Sequence, residues 1–319
     1  MPLDHYVSQV HLRNFYSPIL KGMMYAIRKS DLKGFTARSQ DVCRIENNST
    51  NPYLTNERAI EEFLKSVEPK YNASLGKLRD NKIDQECIHC IAGFVAYVIT
   101  CSPAGMRIHT KPLEGALEAT AKLLDAKGMF EKAPPALGGK SVTELLKEGA
   151  IKFDVDAKYP QALGITSILN RVSIFGNSSW EILQNEHEDS PFFTSDYPVA
   201  IEVTTLNNPI ARVVPLAPDL AIRILPNLEL ARTKPDIEFP KFKTTRRRLK
   251  RADVLYLNRL FVRCAEDVVF YRDEKKWIEG FVEKNKAYRI EPVALEIPHG
   301  TGFLNITTQR VLTKRDNNR

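Results

Sequence analysis

No stretch of this chain is apolar for long enough to cross a bilayer. The longest apolar run, Ile91 to Cys101, falls short of the roughly 20 residues a spanning helix needs. The opening Met1-Pro2-Leu3-Asp4-His5 has neither the basic nor the apolar segment of a signal peptide. Cysteine is scarce, five in 319 residues, and an odd count suits reduced thiols better than a disulfide framework. These absences point to the cytoplasm and to no membrane partner. Triplets such as Asn72-Ala73-Ser74 are then chance matches to a glycosylation signal. Internal repeats at solenoid periods and low-complexity runs are missing too.

Chemical signatures are equally sparse. No P-loop, HExxH, dinucleotide fingerprint or nucleophile elbow is present. That removes the motif-bearing NTPases, zincins, dehydrogenases and α/β-hydrolases. Nucleases often lack a compact linear motif and are not excluded. Cys87-Ile88-His89-Cys90, with Cys101 and His109 downstream, has looser spacing than a zinc site and straddles an apolar helix. Cysteines packing as small apolar groups fit better, and a redox CxxC would need a strand before it. No cofactor or metal site is evident, although a divalent metal would be compatible with a hydrolase.

What the chain does contain is ordinary for a globular protein, 43% hydrophobic and 27% charged. Its length allows one large or two modest domains. A single domain over 1–319 is expected. Pro134-Pro135 and Gly138-Gly139 mark a hinge at 131–142, between a helical region spanning 1–130 and a sheet-containing region spanning 143–319.

The net charge is +7, and it is local. Lys241, Lys243, Arg246, Arg247, Arg248, Lys250 and Arg251 form a run of seven basic residues with no acid among them. Without them, basic and acidic residues balance at 39 each. Such a run is usually a solvated face or a contact for an acidic domain, but this density favours binding an anion, with RNA, DNA or an acidic protein as the candidate partners.

The opening segment fits either a short helix or an extended entry. On a helix, His5, Gln9 and Arg13 would share one face. Met23 to Ile27 suits a strand. Thr55 is a plausible cap for a helix carrying Ile60, Phe63, Leu64, Val67, Tyr71 and Leu75, which Pro69 should kink. Further helices are predicted over Gln85–Ile99, apolar all round, over Leu113–Ala126, and over Ala157–Leu169. Strands are predicted at Val172–Phe175, Trp180–Gln184, Phe192–Thr194, Val199–Thr204, Ala211–Val214 and Leu220–Leu225. Gly176-Asn177 and Asn207-Asn208-Pro209 supply turns. A helix capped by Thr244 or Thr245 should run to Cys264 and bury Leu249, Tyr256, Leu260 and Cys264. A strand Val268–Tyr271, a helix Glu274–Glu283 and a frayed tail after Thr313 complete the chain. No regular βα repeat is visible. The fold class is therefore α+β: a helical N-terminal half on a mainly antiparallel sheet over 172–225, with further C-terminal helices.

Two segments stand out, His5-Tyr6-Val7-Ser8-Gln9 with Leu12-Arg13-Asn14-Phe15, and Thr194-Ser195-Asp196-Tyr197-Pro198-Val199. With Pro215-Leu216-Ala217-Pro218 and Leu257-Asn258 they resemble an uncharacterised, mainly bacterial family, domain of unknown function 4238. That family opens with His-Tyr-Val-Pro-Gln and later carries Thr-Ser-Asp-x-Pro-Val and Pro-Leu-Ser-Pro. Ser8 stands where the family has proline. Cys101-Ser102-Pro103 replaces an Arg-Thr-Pro, with Arg107 one turn later as the candidate substitute. The resemblance covers about His5 to Tyr271. It implies a residue list and fold boundaries but no activity.

Three functions fit. A nucleic-acid hydrolase would use His5 as general acid/base, Asp196 as the carboxylate partner, Arg13 as a phosphate contact and Gln9 to position substrate. Ser195, Asn258 and Arg107 are further candidates. A non-catalytic nucleic-acid-binding protein would use the basic run alone. A regulatory interaction protein would need neither. The bland reading of Asp196 is a turn residue bonding nearby backbone N–H groups, and that of His5 a satisfied structural histidine. In either reading the chain start is expected to fold back onto the 194–196 turn.

Overall fold

Strand β1 (Leu3–His5) opens the described chain and helix α1 (Gln9–Arg13) follows. The entry is thus extended first and helical second, with His11, Leu12 and Phe15 turned into the core. The computed structural model describes residues 3–203, 210–227, 234–299 and 302–314. Strands β2 (Met24–Arg28) and β3 (Gly34–Ala37) form a hairpin, and β4 (Arg44–Glu46) pairs back on β1.

Helices α2 (Ala59–Val67) and α3 (Tyr71–Arg79) are separated by a 3-10 turn holding Pro69. The break is where proline removes a helical donor. The start lies at Ala59 rather than after Thr55. Helix α4 (Gln85–Cys101) is the centre of the molecule, buried almost from end to end. Asp84 caps it, accepting from the Cys87 N–H at 2.9 Å. The Cys87 and Cys90 thiols point at the Ser74 and Val67 carbonyls, and all five cysteines are free and buried.

Helix α5 (Pro103–Ala126) leaves α4 at 61°. Ser102 caps it through the Gly105 N–H at 3.0 Å. A Cβ on Gly105 would sit 2.1 Å from the Ile99 carbonyl oxygen, so the corner requires glycine. Among the described residues no single helix is long and apolar enough to cross a membrane; only the bent α4–α5 pair passes by length and composition. The Pro/Gly stretch forms a 3-10 turn, Pro135–Leu137, with Gly138 and Gly139 at positive φ.

Helices α6 (Val142–Lys147), α7 (Lys158–Thr166) and α8 (Ile168–Gly176) follow. The strand expected at Val172–Phe175 is therefore helical. Ile168, Val172 and Gly176, at helical spacing, face the core against α4, while Leu169 and Ile174 stay exposed. Tertiary packing overrides the β-branched local signal. Gly176 serves close packing under Phe239, whose ring would lie 2.2 Å from an added Cβ, and not a hairpin.

The remaining elements are β5 (Ser179–Gln184), β6 (Thr194–Ser195), β7 (Ala200–Glu202), β8 (Ala211–Ala217), β9 (Leu220–Leu225), β10 (Lys243–Arg248), α9 (Arg251–Cys264), β11 (Val268–Tyr271), α10 (Ile278–Glu283), β12 (Tyr288–His299) and β13 (Gly302–Thr313). The main sheet has the order β10-β5-β9-β8-β7, antiparallel except for the parallel β10–β5 pair. A second, antiparallel sheet runs β3-β2-β11-β6. The architecture is α+β, with a mainly antiparallel main sheet.

The basic run corrects a second expectation. Residues 243–248 are an edge strand, and the helix begins only at Arg251. Thr244 and Thr245 are β-branched and favour the strand that pairs with β5. Tyr256, expected to be buried, is 43% exposed; Val254, Leu257, Phe261 and Val262 make the buried stripe. Helix α10 begins at Ile278 rather than at Glu274. The β12–β13 hairpin has no counterpart among the sequence-based expectations. Thr204, the Asn207-Asn208-Pro209 turn and the tail from 315 lie outside the described residues.

Candidate functional site

The Thr-Ser-Asp segment is an internal clasp. Asp196 is buried, and its carboxylate takes three backbone N–H groups from the turn between α9 and β11. Oδ1 accepts from Glu266 at 2.9 Å, and Oδ2 from Asp267 at 2.8 Å and Val268 at 2.9 Å. The Asp196 N–H returns a bond to the Val268 carbonyl at 3.0 Å. Burial pushes its carboxyl up to about 6, against the pull of those N–H groups and of Lys29. Ser195 is fully buried and its Oγ accepts from the Tyr197 N–H at 3.1 Å. Asn258 of α9 clamps the lead-in, accepting from Phe193 N–H at 3.0 Å and donating to the Pro191 carbonyl at 2.9 Å. Each of these polar groups is occupied in holding backbone.

The chain start does fold onto this segment, but through other residues than those expected. His11 is fully buried, with Nε2 at 2.8 Å from Thr194 Oγ1 and Nδ1 at 2.8 Å from the Tyr71 hydroxyl. Its ring stacks on Phe94 at 4.7 Å. Burial lowers its pKa to about 3, so it is neutral. Polar spacing selects His5, Gln9 and Arg13 and passes over it. The signal is nonetheless in the sequence: His11 sits beside Leu12 and four residues before Phe15, on the apolar face. Tyr6 and Cys43 also come close enough to feel the Asp196 charge.

His5 and Asp196 share no partner. His5 is half-buried and its Nε2 donates to the Ser39 carbonyl at 3.1 Å. Burial lowers its pKa. It lines a cleft of about 420 Å³ together with Gln9, Glu61, Lys65 and Glu68. Gln9 accepts from exposed Arg13 at 3.2 Å and from Ser39 Oγ at 3.3 Å. His5, Gln9 and Arg13 therefore lie together, with Asp196 in a different environment. No group of three or more His, Cys, Asp or Glu side chains among the described residues could hold a metal.

The basic run is on the outside. Lys241, Lys243, Arg247, Arg248, Lys250 and Arg251 are exposed, whereas Arg246 is half-buried and donates to the Leu78 and Arg79 carbonyls. Arg247 pairs with Asp253 at 2.8 Å, Arg248 with Glu186 at 3.3 Å and Arg251 with Asp189 at 2.7 Å. Among the described residues Lys241, Lys243 and Lys250 have no carboxylate partner. The exit of β10 borders a cleft of about 490 Å³ lined by Arg79, His187, Pro191, Pro218 and Arg272 among others. His187 ties the two together by donating to the Leu249 carbonyl at 3.0 Å. The Pro215-Leu216-Ala217-Pro218 element thus ends at this cleft.

A family model described as Protein of unknown function (DUF4238) matches residues 4–275. The chain belongs to that family. No curated protein and no solved structure matches it.

The DUF4238 match ends before the β12–β13 hairpin, yet the hairpin completes the interior of the matched region. Arg107 on α5 pairs with Glu266 at 2.8 Å and with buried Glu291 of β12 at 2.8 Å, and donates to the Ile290 carbonyl at 3.0 Å. Buried Lys29, just after β2, donates to the Ala265 carbonyl at 2.6 Å and to the Tyr288 carbonyl at 2.8 Å. Burial lowers its pKa to about 8. Arg107, the candidate substitute named from the sequence, is thus neutralised within the chain.

Proposed function

We propose that the protein binds nucleic acid through the basic edge strand β10 and the entry to α9. The carrying observation is the exposure of six basic side chains along one edge strand and its flanks, three of them without a carboxylate partner among the described residues. The pairs made by Arg247, Arg248 and Arg251 are at the surface, where they contribute little and a phosphate can compete for them. An outer strand edge also offers backbone N–H groups to phosphate oxygens. The adjoining cleft, lined by Arg79, His187 and Arg272 and also by Glu186, Glu188 and Asp219, would take a base or sugar, rather than a phosphate, beside the phosphate track.

A hydrolase built on His5 and Asp196 has less behind it. Both Asp196 oxygens already accept bonds inside the fold. His5 faces a different cleft and has no carboxylate bonded to its ring. The test is a salt titration of binding to tRNA, single-stranded RNA and duplex DNA, with and without magnesium. A salt-sensitive shift without cleavage supports the proposal. Cleavage would favour the hydrolase, and no shift with any of the three would remove nucleic acid as the partner.

A further inference from the structure

The part-buried arginines of this chain are mostly matched. Arg223 meets Glu181 and Glu202, Arg107 meets Glu266 and Glu291, and Arg263 meets Asn285 and the Tyr288 ring. Arg171 on α8 and Arg212 on β8 are different. Both are partly buried, and neither has a carboxylate partner among the described residues. Among the described residues, the one hydrogen bond made by the Arg171 side chain is Nη2 to His109 Nε2 at 2.9 Å. The Nη1 of Arg212 is buried with no hydrogen-bond partner, as is the Nε of neighbouring Arg107.

His109 shows how Arg171 is held. Its Nδ1 lies 2.6 Å from the Gly105 carbonyl, so that nitrogen carries the proton and Nε2 is the acceptor facing Arg171. Burial and the Arg171 charge lower its pKa to about 4, which keeps it neutral. It therefore orients the guanidinium without offsetting its charge. Burial and mutual repulsion lower the Arg171 pKa, and burial lowers that of Arg212. An arginine nevertheless stays protonated in a protein.

Register places Arg212 on the sheet face shared with Ile201 and Ile224. Tyr197, fully buried, is close enough to feel Arg212, Arg171 and Arg107. His109 on α5, Arg171 on α8, Arg212 on β8 and Tyr197 therefore lie within electrostatic reach of one another, with N–H groups in excess. Two guanidinium forks and a phenolic O–H are the donor set that matches a doubly charged tetrahedral oxyanion. A buried charged donor left unpaired is costly, and a bound ion is one of the few things that explains it.

We propose that Arg171 and Arg212, with His109 as positioning residue and Tyr197 as a further donor, bind a phosphoryl group with side chains drawn from α5, α8 and β8. The site is separate from β10 and does not rest on the nucleic-acid reading.

The test uses the full chain, with inorganic phosphate and pyrophosphate as probes against chloride at matched ionic strength. Phosphate should raise the melting temperature in a saturable way, as a ligand of the folded state does. Acetate should not. Arg212→Met should be at least as stable as the parent in phosphate-free buffer, because it removes an uncompensated charge. It should weaken phosphate binding by about tenfold or more, the scale of one charge-assisted pair. Tyr197→Phe, which keeps the packing, should weaken it less. A Lys243→Ala, Arg247→Ala, Arg248→Ala triple variant should keep the phosphate response in full. Absence of a saturable shift, an equal response to acetate, or an undiminished response in Arg212→Met would overturn the site.

Discussion

His11 Nε2 lies 2.8 Å from Thr194 Oγ1, across 183 residues of sequence. The contact joins the two most distinctive segments of the chain, and it joins them through a neutral, fully buried imidazole. It shows what the Thr-Ser-Asp motif does here. Thr194 takes the chain start, Ser195 shapes its own turn and Asp196 holds the α9–β11 turn.

Acid should weaken this arrangement with a definite sign. His11 and His109 titrate near 3 and 4 when folded, below the ordinary 6.5. Their contribution is present above that ordinary value and is lost as pH falls through the folded values. Asp196 titrates higher folded, near 6, than its ordinary 3.8, so its contribution is present at low pH and lost as pH rises. Near pH 5 the unfolded state therefore holds a net excess of about one proton from these three groups, a slope of about 1.4 kcal/mol per pH unit. Stability should rise with pH there. Urea unfolding at several pH values should show that slope flattened in His11→Gln and steepened in Asp196→Asn.

Much of this fold is legible in the sequence, for identifiable reasons. Helix α4 and strands β5, β8, β9 and β11 carry strong local patterns and appear where expected. The α8 segment reads as a strand because Val172, Ile174 and Phe175 are good strand formers, and only packing on α4 makes them helical. Strand β10 reads as the start of a helix because its partner β5 lies about 60 residues earlier, and parallel pairing leaves no local trace. At the site, polar spacing points to His5, whereas burial, which no spacing reports directly, selects His11. Arg171 and Arg212 come near each other only through the tertiary fold, around His109, which the sequence does not display.

Asp196 should tolerate no isosteric change. Asparagine keeps one acceptor oxygen but sets an N–H₂ against a turn that offers three N–H donors. Both Asp196→Asn and Asp196→Ala should destabilise by about 1–3 kcal/mol, the cost of leaving buried donors unpaired. Equilibrium denaturation checks this. A fully stable Asp196→Asn would contradict the clasp.

The β12–β13 hairpin should be needed for stability although it lies outside the family match. Glu291→Gln should cost about 1.5–3 kcal/mol, because it removes one of two carboxylates from a partly buried arginine that keeps Glu266. Truncation before Tyr288 also removes the carbonyl that receives Lys29. Such a chain should be cleaved by protease far faster than the parent. Equal resistance would show that the hairpin is only appended.

Within the basic run, Arg246 should behave differently from its neighbours. Its guanidinium holds the Leu78 and Arg79 carbonyls at the end of α3. Arg246→Ala should lose about 1–2 kcal/mol, while Arg247→Ala and Arg248→Ala should stay within about 0.5 kcal/mol, as surface changes do. Thermal denaturation of the single variants separates them.

The most direct measurement is the salt dependence of RNA and DNA binding by the parent and by the Lys243→Ala, Arg247→Ala, Arg248→Ala triple variant. If phosphates lie on β10, log K falls linearly with log salt. Each lost contact should then reduce the slope by about 0.7 on single strands and about 0.9 on duplex DNA. The triple variant should show weaker binding to every sequence and a shallower slope, with its melting temperature kept. An unchanged affinity and slope in a folded triple variant would contradict the assignment of β10 as the nucleic-acid surface.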